Sequence, residues 1–240
     1  MKLNFSLNSL NVLIYINLFV FVLVYLVLIT LGPQSIDYDL DSRTLIGVLE
    51  INNGSINSLG TLITSIFLHI NILHILINMY SLFKVGEIVY NLYDGKKLFL
   101  TYVIGGLGGS LMTFVYYSLI IKEDVSTIGA SGAIFALVGL LVGGSLKKYR
   151  YGYNLPINFQ NVLFVALMSL SIGLIPGLNV NNLAHIGGFL TGIIIGLFLK
   201  HSLGTYETLF EKKLVNFLYK LSIVMVVLGY TIVFYDVIIS

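Results

Sequence analysis

The chain has 240 residues, of which 57% are hydrophobic and 10% charged, with a net charge of +2 and no cysteine; its mean hydropathy is +0.95. A soluble domain carries about 25% charged residues, so this chain cannot cover itself with polar surface, and lipid must be the solvent for most of it. Disulfides and thiolate metal sites are excluded, and the longest weakly hydrophobic stretch, Gly32 to Gly60, is too short to build a soluble core alone.

Seven apolar segments of spanning length follow in chain order: 10–31, 61–83, 98–120, 128–146, 158–176, 181–199 and 214–236. Backbone groups in lipid must be satisfied within their own segment, so each is expected to be a helix. The first has no small-residue cleavage site after it and reads as a retained span. The fifth and sixth are joined by a Pro176-Gly177 turn and an Asn-rich stretch. Basic residues gather in alternate loops: Lys2; Lys96 and Lys97; Lys147, Lys148 and Arg150; Lys200, Lys212 and Lys213. The opposite loops hold Asp37, Asp39, Asp41, Glu50, Glu123 and Asp124 against Arg43 and Lys122. The positive-inside rule then puts the N-terminus in the cytoplasm and the C-terminus outside.

Ionisable groups inside spans are expensive and point to function. On span two, His74 and Asn78 are four residues apart and share a helix face, while His69 falls about 140° around from His74. Span four opens with Gly129-Ala130-Ser131-Gly132, and small residues recur at Gly132, Ala136, Gly139 and Gly143. Span six carries Ala184-His185-Ile186-Gly187-Gly188, with His185, Gly188, Gly192 and Gly196 on one face. Small faces of this kind let two backbones approach closely. Each cluster alone also reads as ordinary helix packing: a polar pair, a small serine, a histidine bonded to a carbonyl.

Depth links them. Ser131 precedes Lys147 by roughly 24 Å of helix, and His185 precedes Lys200 by roughly 22 Å. Both lie at nearly the same height, a little below the outer surface of a hydrocarbon layer about 30 Å thick. A serine hydroxyl needs a base within hydrogen-bond reach, and His185 can be that base if spans four and six touch. The Ser131 amide at a helix start, with the Asn78 and His74 side chains, are candidate donors to a carbonyl oxygen that gains charge. No Asp or Glu lies in the spans at this depth, so the inventory supports a Ser-His dyad. There is no HExxH motif, no two-His-plus-carboxylate set and no aspartate pair.

These three motifs, HxxxN at His74–Asn78, GxSG at Gly129–Gly132 and AHxxG at Ala184–Gly188, resemble those of the rhomboid family of intramembrane serine proteases. The resemblance covers roughly residues 10–200. It implies an all-α polytopic membrane fold, a rhomboid-like six-helix core over 1–200, with 201–240 forming a cytoplasmic loop and one further C-terminal helix. It also implies Ser131 as nucleophile, His185 as general base, and His74, Asn78 and the Ser131 amide as oxyanion donors. Phe135 matches an aromatic that packs on the catalytic histidine, Gly129, Gly132 and Gly188 belong to the motifs, and His69 matches a non-essential position near the mouth of the site. The implied partners are transmembrane protein substrates in a lipid bilayer, with no nucleic acid, cofactor or metal. The expected location is a bacterial plasma membrane. One departure is clear: many members carry a Trp-Arg pair in the first external loop, where this chain has Gly60-Thr61 and no Trp at all. The alternative is a non-catalytic rhomboid-like protein that binds transmembrane clients.

Overall fold

The computed structural model describes residues 8–31, 47–52, 55–146, 180–202 and 207–239, together with positions 158, 160 and 164. The long helices are α1 (Ser9–Leu31), α3 (Ile72–Tyr93), α4 (Gly95–Val115), α5 (Ser131–Leu146), α6 (Asn182–Phe198) and α7 (Leu209–Ile239), and a short α2 spans Thr61–Thr64. Among the described residues, four helical stretches are long and apolar enough to cross a membrane: Ser9–Leu26, Ile72–Tyr93, Gly95–Ile121 and Leu209–Asp236. Helices α5 and α6 are equally apolar but have 16 and 17 residues. The chain is an all-α polytopic membrane protein. The expected span over 158–176 lies outside the described residues.

The second span is corrected. Instead of one helix over 61–83, α2 runs into a 3-10 turn at Ser65–Phe67, the chain extends at Leu68, and α3 begins at Ile72. Asn71 starts the second helix: its side chain accepts the His74 N–H at 2.8 Å, which is an N-cap. His69 therefore precedes the helix that carries His74 and Asn78, and does not occupy another face of it. At its far end α3 closes at Asp94, which has a positive φ of 86°. The same residue caps α4 through the Lys96 and Lys97 amides, so two antiparallel helices meet at one residue.

Helix α5 sits at the centre, with Gly132 to Gly144 all buried. It packs along α6 at backbone distance. A Cβ placed at Gly188 would fall on the Gly132 carbonyl, one at Gly192 on the Ala136 carbonyl, and one at Gly196 on the Leu140 carbonyl. Lipid tails are as apolar as leucine, so such contacts hold by van der Waals fit and not by water exclusion. Helix α4 closes the third side through Gly105-Gly106-Leu107-Gly108-Gly109. Gly105 faces Ala136, Gly108 faces Thr191 and Gly109 faces the Ala184 carbonyl. Helix α1 joins this group through Asn17, whose buried amide donates to the Tyr102 hydroxyl at 3.0 Å.

A small antiparallel sheet, not foreseen from sequence, orders the connections at the Ser131 end. It consists of β1 (Leu49–Asn52), β2 (Ser55–Ile56) and β3 (Val125–Thr127), in the order β2-β1-β3. Glu50 pairs with Ser126 in register, and their side chains are hydrogen-bonded at 3.1 Å. The segment leading to Ser131 is thus tied to the chain that precedes α2.

Candidate active site

Helix α5 starts at Ser131 and has 16 residues, or about 24 Å of rise, against a hydrocarbon layer of about 30 Å. It is therefore shorter than the layer is thick. Above it lies a cavity of about 460 Å³, lined by Ser131, His185, His74, Asn78, Ser65 and Asn181 among others.

His185 stands one turn into α6 and is buried. Its Nε2 is 2.7 Å from the Ser131 hydroxyl oxygen. When Nε2 is the bare nitrogen of the ring, the serine hydroxyl donates to it and the hydroxyl is poised to lose its proton. The other face of the pair is fixed by Phe135, whose ring stacks on the imidazole with centroids 4.5 Å apart and planes 18° from parallel. Among the described residues, His185 Nδ1 has no hydrogen-bond partner, so the ring is held by this packing together with the Ser131 contact. Gly132 and Gly188 bring the two helices close enough for the contact, each facing the other helix's backbone.

The third group comes from α3. The His74 imidazole hangs over Gly129, where an added Cβ would meet its Cε1 at 3.0 Å and Nε2 at 3.1 Å. Gly129 also has a φ of +122°, a region open mainly to glycine, so position 129 is constrained twice. The Ile70 amide donates to His74 Nδ1 at 3.4 Å. That bond makes Nδ1 the acceptor and leaves the proton on Nε2, the atom beside Gly129 and the Ser131 approach. Asn78 is buried and donates one amide hydrogen to the His74 carbonyl at 3.1 Å. Its second amide hydrogen is left for the cavity that the residue lines. His69 is buried, does not line that cavity, and meets the His74 ring edge-on at 5.1 Å.

Two contributors escaped the sequence reading. Asn181 caps α6 by accepting from the Leu183 and Ala184 amides, and its own amide donates to Thr113 and Thr127, each at 3.0 Å. It thus locks the start of the helix carrying His185 to α4 and to β3. An Asn before an apolar run is a cap signal, and it was legible. Ser65 acts through its carbonyl, which accepts the Gly129 N–H at 2.9 Å. A backbone contribution of that kind has no sequence signature.

Among the described residues, no group of His, Asp or Glu could hold a metal ion. Ser, His and a set of N–H donors converge on one cavity, the equipment for acyl transfer from a carbonyl.

Comparison with known proteins agrees with the resemblance noted above. The chain is 36% identical over 138 residues to "RHOMBOID-like protein 2" of Arabidopsis thaliana, which covers 58% of this chain and 41% of that protein. It is 31% identical over 163 residues to "Rhomboid protease GluP" of Bacillus subtilis (strain 168), covering 60% of this chain and 30% of that one. A further relative at 27% identity over 131 residues, covering 54% of this chain and 35% of its own length, is named "Inactive RHOMBOID-like protein 8", also from Arabidopsis thaliana. The chain thus spans well under half the length of these relatives. A family model described as "Rhomboid domain" matches residues 57–202, a stretch that holds α2 to α6 and every residue of the cavity, and on that match the chain belongs to the rhomboid family.

Proposed function

We propose that this chain is an intramembrane serine endopeptidase that hydrolyses peptide bonds in or near the transmembrane segments of membrane-protein substrates. The observation that carries the reading is the 2.7 Å approach of the Ser131 hydroxyl to His185 Nε2. Family membership alone does not carry it, since one relative bears the name inactive. The paired side chains are what favour catalysis over client binding alone.

The chemistry follows from the arrangement. Ser131 Oγ attacks the scissile carbonyl carbon as its proton passes to His185 Nε2. Negative charge moves onto the carbonyl oxygen, where the Ser131 amide at the N-terminus of α5, the His74 Nε2–H and the Asn78 amide can donate to it. The intermediate collapses to an acyl-serine, and the departing amine takes the proton from His185. Water entering the cavity then attacks the ester, with His185 again accepting a proton, and Ser131 is regenerated.

The alternation of basic and acidic loops supports putting this cavity on the external side, with the N-terminus cytoplasmic and the C-terminus external. A plasma membrane, bacterial by expectation, is the proposed setting. Substrates would be single-span proteins cut towards the outer leaflet. The test is cleavage of a generic transmembrane substrate by the purified protein, run beside Ser131→Ala and His185→Ala. Both variants should be inactive, and cleavage that survives both would remove the dyad.

A further inference from the structure

We infer that α7, which lies outside the matched domain, is a positioning element for the cleft, with Asp236 and Gly229 as its positioning residues. The inference rests on the protease reading above.

Helix α7 is mostly exposed, as a helix bathed in lipid would be, yet its most deeply covered positions recur at a regular interval. Val215, Ser222 and Gly229 are buried, and Asp236, half-buried, completes that seven-residue series. Tyr219, Val226 and Val233, each partly or fully covered, fall between them. The resulting alternation of threes and fours is the seam of a helix packed along a partner. A helix kept in place by lipid alone has no need of such a seam.

Both ends of the seam are tied by polar contacts. At the end far from Ser131, Lys96 Nζ donates to the Asn216 side chain at 2.8 Å. The buried Lys97 ammonium pairs with Glu207 just before α7. At the other end, the buried Ser58 hydroxyl donates to Asp236 Oδ2 at 2.6 Å, a charge-assisted bond. Between these, the chain at Gly60 passes so close to Gly229 that a Cβ at 60 would overlap the Gly229 carbonyl. Ile63 packs on Gly229, and Phe67 sets its ring 6.4 Å from that of Tyr230.

The stretch so gripped, 58–67, reaches the site at Ser65 and Ile66. Ser65 lines the cavity, and its carbonyl holds the Gly129 amide at 2.9 Å. Gly129 in turn lies under the His74 imidazole, two residues before the nucleophile. A shift of α7 at Asp236 is therefore passed through α2 to the loop that presents Ser131 and to the oxyanion side of the cleft.

The experiment uses the full chain in proteoliposomes. Asp236→Ala, Asp236→Asn, Gly229→Leu and Leu228→Ala, the last on the exposed face of the same helix, are compared for kcat, KM, thermal midpoint and the rate of Ser131 labelling by a fluorophosphonate. Misplacement of reacting groups acts on kcat, so Asp236→Ala and Gly229→Leu should lower kcat and labelling together by about ten-fold, with KM little changed. Asp236→Asn, which keeps an acceptor, should recover most of the loss, and Leu228→Ala should behave as the parent. If Asp236→Ala lowers the thermal midpoint but leaves kcat and labelling intact, the helix stabilises without positioning and the inference is wrong. Should Gly229→Leu fail to fold, the Asp236 pair still decides. A Ser58→Cys/Asp236→Cys double variant in this cysteine-free chain reads the contact without any activity. If the pair forms a crosslink while the parent neither cleaves nor labels, the protease reading has failed. If it forms no crosslink in a parent-like active enzyme, the positioning claim has failed.

Discussion

The Phe135 ring lies flat on the His185 imidazole, 4.5 Å between centroids, and Phe135 stands one helical turn beyond Ser131. One helix therefore supplies both the nucleophile and the surface that aligns its base. In soluble serine hydrolases a carboxylate commonly orients the histidine through Nδ1; in this chain His185 Nδ1 has no partner among the described residues, and the ring is aligned through its face by an aromatic side chain.

Removal of that face should therefore act on catalysis more than on folding. Aromatic pairs contribute about 0.5–1.5 kcal/mol beyond their burial, so Phe135→Ala should lower kcat by several-fold, while Phe135→Tyr or Phe135→Leu should lie between it and the parent. Steady-state cleavage with a KM determination checks this. A loss confined to KM would mean that the ring contacts substrate and does not align the base.

The oxyanion donors give a second expectation. Loss of one donor typically lowers kcat by about 10²–10³-fold. Asn78→Ala and His74→Ala should each fall by that order with the fold intact, and the double variant should lose less than the product of the two, because both act on one oxygen. His69→Ala should change kcat little, since its ring touches His74 without lining the cavity. Single-turnover cleavage rates distinguish these outcomes; a His69→Ala loss as large as that of His74→Ala would assign His69 a part in the chemistry.

Much of this was legible because chemistry-bearing residues are rare in an apolar chain. Ser131, His185, His74 and Asn78 were conspicuous against their surroundings, and the Gly faces of α5 and α6 indicated which helices meet. Other features were hidden for definite reasons. Ile66, Phe67, Leu68 and Ile70 are as apolar as any span, so hydropathy alone runs 61–83 together and misses the break that opens at Leu68 and closes at the Asn71 cap. Asn17 escaped notice as a single amide in span one, although it bonds across to Tyr102. The GGLGG run of α4 was visible but carries no reactive group, so its packing role emerged only with α6 beside it. Strands of two to four residues have too short an alternation to detect.

The Gly188 contact yields a third prediction. A Cβ at this position would land on the Gly132 carbonyl, and both helices are committed elsewhere, α5 to α4 and α6 through Asn181. Overpacking in such a place costs about 1–3 kcal/mol. Gly188→Ala should therefore lower the thermal midpoint and also separate Ser131 from His185, so that labelling of the serine falls with stability. Normal labelling in Gly188→Ala would show that the helices accommodate the methyl without opening the dyad.

Asn181 allows the cap and the tether to be told apart. As acceptor it satisfies the Leu183 and Ala184 amides; as donor it holds Thr113 on α4 and Thr127 on β3. Asn181→Asp keeps the first role and loses the second, while Asn181→Ala loses both. Loss of an N-cap costs about 0.5–2 kcal/mol, so Asn181→Ala should be the less stable of the two. His185 sits four residues further on, in the first turn that the cap organises, and β3 leads directly into the loop before Ser131. If the tether sets the distance between the two catalytic side chains, Asn181→Asp should lower kcat while remaining close to the parent in thermal midpoint. If it is only a brace for the fold, kcat should follow the midpoint in both variants, and the measurement of both quantities on both variants decides which.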